Sequence, residues 1–196
     1  MNWITLTSFV IWLYVLTVLK RANLEFWHFL IGSAGLFAFF MIFIQPMVTE
    51  VLVKAVTIVT GRIGEQLHMF EGYYEYAILF VKNKKGAISI LVDYECAGSI
   101  EMAAFFSLLF FFPVYITMEK LLVALFGLLY LFFANVIRMS VICMIISGFG
   151  NDSYFFAHTI VGRVIFYGLS MLLYYMVFTK AQVIRQKVGN IQYGNT

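Results

Sequence analysis

Residues 121–147 read LLVALFGLLYLFFANVIRMSVICMIIS, an apolar run interrupted chiefly by Asn135 and Arg138. A helix needs about 20 apolar residues to cross a hydrocarbon core of about 30 Å, and this run exceeds that length. Only helices and closed barrels satisfy their backbone polar groups inside a bilayer, and runs this long select the helix.

The rest of the chain has the same character. With 63% hydrophobic and 12% charged residues in 196, too little polar surface remains for a soluble domain. Apolar runs of near-spanning length recur at about 3–19, 26–44, 99–117 and 158–178. The expectation is an all-α polytopic membrane protein: one membrane domain over 1–196, with about five transmembrane helices counting 121–147. The chain opens Met1-Asn2-Trp3 without a basic leader, which reads as a retained span. A net charge of +3 without a basic patch argues against a nucleic-acid partner. Two cysteines, Cys96 and Cys143, make neither a disulfide framework nor a metal site, so no metal and no cofactor are expected.

Lys20-Arg21 between the first two runs and Lys180, Arg185 and Lys187 at the end place those positions in the cytoplasm, with the N-terminus outside. The second span is expected to stop at Gln45-Pro46. An extracytoplasmic insert then fills about 46–95. Within it Glu50, Lys54, Thr57, Gly61, Glu65 and His68 recur at three- and four-residue intervals, the signature of an amphipathic helix, with Gly61 or Gly64 as a break point. A small β-hairpin follows, with strands in Tyr73–Val81 and Ala87–Asp93 around Lys82-Asn83-Lys84-Lys85-Gly86. In a competing topology 47–60 crosses the membrane and the hairpin lies in the cytoplasm.

The second strand leads into Glu95-Cys96-Ala97-Gly98-Ser99. Cys96 therefore opens the third span, where unpaired N–H groups of a helix N-terminus favour a thiolate. Gly98 and Ser99 leave the backbone near the sulfur uncluttered. Arg138 is 17 residues up the fourth span from Leu121, roughly 25 Å along a helix, which brings it close to the outer level of Cys96. Asn135 shares its face one turn earlier. His158 opens the descending fifth span at the same level. Its ordinary pKa near 6.5 suits a general base. An arginine inside an apolar helix costs about 2.5–3.5 kcal/mol to insert and marks a functional or paired position. It fits a snorkelling side chain or a structural pair with Glu101 or Asp152 as well as a catalytic group. Cys143, amid Val141-Ile142-Met144, fits a small buried hydrophobe.

Taken together, Glu95-Cys96-Ala97-Gly98-Ser99, Asn135-Val136-Ile137-Arg138 and Ala157-His158-Thr159 resemble the exosortase and archaeosortase family of membrane transpeptidases, in its compact Gram-positive form. Ala97 stands where the family commonly has serine, and Glu95 where it has a small residue. The resemblance covers roughly 92–167 and implies a cysteine transpeptidase or protease. Cys96 would be the nucleophile, His158 the acid and base, and Arg138 the oxyanion stabiliser, supported by Asn135, Gly98 and Ser99. It also implies partners: membrane-anchored precursors carrying a C-terminal sorting signal, and an acceptor nucleophile of unspecified kind, at the outer face of the bilayer. The contrasting reading is a non-catalytic scaffold or small transporter in which Arg138 lines a polar path.

Overall fold

The computed structural model describes residues 3–83, 86–93 and 96–184. The hairpin loop Lys84-Lys85, Glu95 of the cysteine motif and the basic tail with Arg185 and Lys187 lie outside the described residues. The protein is 80% helical with one small sheet.

Helix α1 (Trp3–Arg21) and helix α2 (Glu25–Phe39) form an antiparallel pair about a short turn in which Asn23 adopts a left-handed conformation, φ 55°. The Trp12 indole N–H donates to the Ile31 carbonyl at 3.0 Å, fixing their register. The expected stop at Gln45-Pro46 is not a stop. A π turn, Phe40–Ile44, joins α2 to α3 (Gln45–Leu67), so helix runs without interruption from Glu25 to Leu67. Proline lacks an N–H and its ring crowds the carbonyl four residues back. Widening the preceding turn to the i→i+5 pattern accommodates both, and Pro46 sits in the first turn of α3, where no N–H is missed.

The polar stripe on α3 also divides. Glu50, Lys54, Glu65 and His68 are exposed, with Lys54 donating to Glu50 at 2.6 Å. Thr57 and Gly61 are buried instead. The helix does not break at the glycines; they admit a sheet. A Cβ on Gly61 would lie 2.7 Å from the Gly72 Cα, so backbone meets backbone there. That neighbour belongs to a strand the hairpin expectation lacks. The sheet has three strands, β1 (Phe70–Tyr73), β2 (Ile78–Asn83) and β3 (Gly86–Leu91), antiparallel in the order β1-β2-β3. The β2–β3 hairpin pairs Ile78 with Leu91 through Asn83 with Gly86.

Helix α4 (Ser99–Phe111) is 13 residues long, about 20 Å, too short to cross a bilayer alone. The expected span to 117 is cut back because Pro113 forces Phe112 into an extended conformation, φ −68°, ψ 121°. Helix α5 (Thr117–Phe149) follows. After Gly150 the helical path from Asn151 to Ile184 comprises a 3₁₀ turn (Asn151–Ser153), a π turn (Phe156–Val161), α6 (Gly162–Tyr174) and a second π turn (Tyr175–Lys180). Among the described residues three helical stretches are long and apolar enough to cross a membrane: Glu25–Leu67, Thr117–Phe149 and Asn151–Ile184. Large apolar side chains such as Phe126, Leu121 and Met171 point outward from them, as expected of helices solvated by lipid.

The core has two parts. At one end the sheet packs on α3 and α5, burying Leu79, Val81 and Ile90 against Val56, Met139 and Ile146. At the other, Phe105 and Leu109 of α4 meet Leu131 of α5 and Leu173 of α6. The second end also carries the α1–α2 turn, since His28 and Phe29 meet Phe111 and Phe112 edge to face. It holds the far end of the last helix as well, where the Tyr115 hydroxyl donates to the Val177 carbonyl at 2.6 Å.

Candidate active site

Cys96 sits in the turn between β3 and α4. Val92, just past the strand, donates its N–H to the Ala77 carbonyl at 2.8 Å. Asp93 then organises the turn. Its carbonyl accepts from the N–H of Cys96 (3.1 Å) and of Ala97 (2.9 Å), and its carboxylate Oδ1 also accepts from the Cys96 N–H at 2.9 Å. Aspartate favours such turns because its short side chain reaches the backbone two or three residues on. Gly98 completes the turn at φ 73°, a left-handed conformation that costs glycine nothing, and its carbonyl accepts the N–H of Met102 to start α4.

This turn lies against α5. The Asn135 side-chain amide donates to the Cys96 carbonyl, which ties the cysteine turn to the helix that carries Arg138. Asn135 is fully buried. Arg138, one turn further along, is 6% exposed, with its guanidinium carbon 5.6 Å from the Phe166 ring centre. Its positive charge favours the thiolate of Cys96. Across the turn, His158 Nε2 stands 3.4 Å from Cys96 Sγ, although 62 positions separate them. His158 lies inside the π turn Phe156–Val161, a local widening often found where a side chain must be re-aimed. The Tyr154 ring stacks on its imidazole at 5.5 Å with an 18° interplanar angle.

Cys96, Asn135, Gly98 and His158 thus converge, with Arg138 within electrostatic reach. Ser99 is buried and lines an apolar crevice of about 310 Å³ with Met102, Ala103 and Phe106. Cys143 is fully buried in the core. Among the described residues no cluster of three or more metal-ligating side chains occurs.

Two expectations for Cys96 change. The surroundings of the sulfur are not uncluttered despite Gly98 and Ser99, for the residue is 4% exposed. Nor does the helix start make a resting thiolate: burial, and after it the Asp93 carboxylate, push the thiol up to about 11, opposed only in part by Arg138. The Cys96 N–H is already spent on the Asp93 carbonyl and carboxylate. Two neighbours escape a sequence reading centred on Cys96, Arg138 and His158. Asp93 is signalled by its three-residue spacing before the cysteine, and Tyr154 by its i, i+4 spacing to His158.

A family model described as transmembrane exosortase matches residues 2–176. The chain belongs to the exosortase family. Neither the curated proteins nor the solved structures yield a match to it. Exosortases are transmembrane proteins of transpeptidase type, generally using cysteine, and the apolar helices make this exosortase a membrane protein.

Proposed function

We propose that the protein is a cysteine transpeptidase of the cell membrane that cleaves C-terminal sorting signals from membrane-anchored precursors at the outer face and transfers the shortened precursors to an acceptor. The observation that carries this reading is the 3.4 Å approach of Cys96 Sγ and His158 Nε2, beside the buried charge of Arg138. A thiol held up to about 11 does not ionise on its own at neutral pH, so its proton passes to His158 as the sulfur attacks. The new S–C bond puts negative charge on the former carbonyl oxygen, which the Arg138 guanidinium stabilises. Protonated His158 gives that proton to the departing amine as the C–N bond breaks, leaving a thioester. The acceptor nucleophile then loses its proton to His158, attacks the thioester and restores the Cys96 thiol. The fold reading that accompanies this has about five crossings, counting α1, and counting α4 only together with the segments that flank it, with the sheet and Cys96 outside.

The test is precursor processing in cells carrying Cys96→Ala, Arg138→Ala or His158→Ala. Each is expected to leave uncleaved precursors at the membrane, and normal processing in all three would sink the reading.

A further inference from the structure

The sheet ends in an open edge. Val92 N–H points toward β2, where it meets the Ala77 carbonyl. Antiparallel backbone alternates direction residue by residue, so Ile90, Ile88 and Gly86 also turn their N–H and C=O groups toward β2. Ala87, Ser89 and Leu91 turn theirs the other way, to the outside of the sheet, where β3 is last in order. None of these three has a hydrogen bond to another element among the described residues. The 3₁₀ turn at Asn151–Ser153 approaches β3, and Asn151 accepts from Asn83, the partner of Gly86, which places that turn at the hairpin-tip end.

Proteins block open edges with charge, proline, bulges or very short strands. β3 uses none of these: it reads Gly-Ala-Ile-Ser-Ile-Leu over six residues, and its pairing with β2 is unbroken. Leu91 is 63% exposed, and Ala87 and Ser89 are exposed as well. The open strand leads through Val92 and Asp93 directly to the turn that holds Cys96.

We propose that this edge receives the extended backbone of the precursor next to the scissile bond as an added fourth strand. The proposal rests on the transpeptidase reading above. The edge offers only alternating N–H and C=O groups, which an extended polypeptide satisfies and a helix, lipid or sugar does not. From Ala87 to Leu91 is about 13 Å at 3.3 Å per residue, so a segment of roughly four or five residues fills it. Such a segment ends at the turn containing the sulfur. Recognition would then run largely through main chain, with the segment's alternate side chains setting preference.

Ser89→Pro removes the outward N–H while leaving the β2-facing bonds of Ile88 and Ile90 in place. Cells carrying Cys96→Ala define the precursors as those that accumulate uncleaved. Ser89→Pro is expected to slow cleavage of the same precursors at least tenfold, while its membrane abundance and the alkylation rate of Cys96 stay within twofold of wild type. Ser89→Cys in a Cys96→Ala, Cys143→Ala background, treated with a photoactivatable thiol-specific crosslinker, is expected to trap a precursor through residues beside its cleavage point. If nothing accumulates in Cys96→Ala, the transpeptidase reading fails. If precursors accumulate there but Ser89→Pro cleaves them at the normal rate, only the edge proposal fails. Should Ser89→Pro not accumulate in the membrane, the crosslink decides, and a product joining two copies of this chain, or no precursor adduct, overturns the proposal.

Discussion

At the scale of single residues the decisive quantity is the protonation of Cys96. The folded thiol keeps its proton up to about 11, whereas an ordinary thiol loses it near 9.0. Between those values the folded chain binds more protons than the unfolded one, so the group's contribution to stability is present below 9.0 and declines as pH rises toward 11. The same shift governs reactivity. Alkylation of Cys96 in the resting protein is expected to be slow at neutral pH and to climb toward a midpoint near 11, followed by mass spectrometry of the labelled peptide. Asp93→Asn removes the carboxylate that opposes ionisation and is expected to lower that midpoint, while burial keeps it above 9.0. A Cys96 that alkylates fully as a thiolate at neutral pH would contradict this account. Arg138 offers a second test. Arg138→Ala is expected to slow precursor cleavage about 100-fold, the usual cost of losing a donor to a developing oxyanion. Arg138→Lys is expected to recover little, because a point charge does not replace a planar fork of donors. Cys143→Ala, which trims a fully buried apolar side chain of the core and none of the reacting groups, is expected to leave cleavage close to the wild-type rate.

At the scale of elements, what matters is how α3 holds the sheet whose last strand ends at the cysteine turn. Gly61 and Gly72 set the spacing: a Cβ at position 72 would stand 2.7 Å from the Thr57 carbonyl oxygen, and neither backbone can retreat without moving the strand. Gly61→Ala is expected to cost about 1–3 kcal/mol, visible as a lower melting temperature in detergent, with slower precursor cleavage because β1 anchors β2 and β3. Gly168→Ala, on α6, meets nothing within 4 Å and is expected to leave stability equal or raise it by up to about 1 kcal/mol. Equal losses in both variants would contradict the close-packing account. Gly61 also shows where sequence patterning fails. Its spacing with Glu50, Lys54 and Glu65 matches one polar helix face, yet a small residue serves equally well as a seat for a strand, and β1 carries only Phe-Glu-Gly-Tyr to announce itself. Likewise Pro46 is a reliable stop signal for a regular α-helix, and only the π turn before it lets the helix continue.

At the scale of the whole molecule, the membrane character and a common level for Cys96, Arg138 and His158 were legible because both follow from long-range regularities, whereas their turning toward one another was not. Apolar run lengths announce helices, and counting residues along antiparallel helices brings distant positions to one level. What was not legible is anything set by packing: the burial of Cys96, the raised thiol, and the 43-residue helix Glu25–Leu67, about 65 Å long and twice the hydrocarbon thickness. A helix of that length must extend past one crossing, and its second half bears the sheet. The two ends of the molecule therefore differ in kind. One holds the sheet, Cys96 and the α5–His158 connection; the other holds the α1–α2 and α4–α5 turns. This arrangement has a measurable consequence in a background lacking Cys96 and Cys143. Tyr76→Cys, in the exposed β1–β2 turn, and Met118→Cys, at the exposed start of α5, are expected to face opposite sides of the membrane. A membrane-impermeant maleimide added to intact cells is expected to label Tyr76→Cys and to reach Met118→Cys only after permeabilisation. Labelling of both from outside would mean that the two ends are not separated by the bilayer. The reverse pattern would put Cys96 in the cytoplasm, where a sorting signal cleaved at the outer face could not reach it.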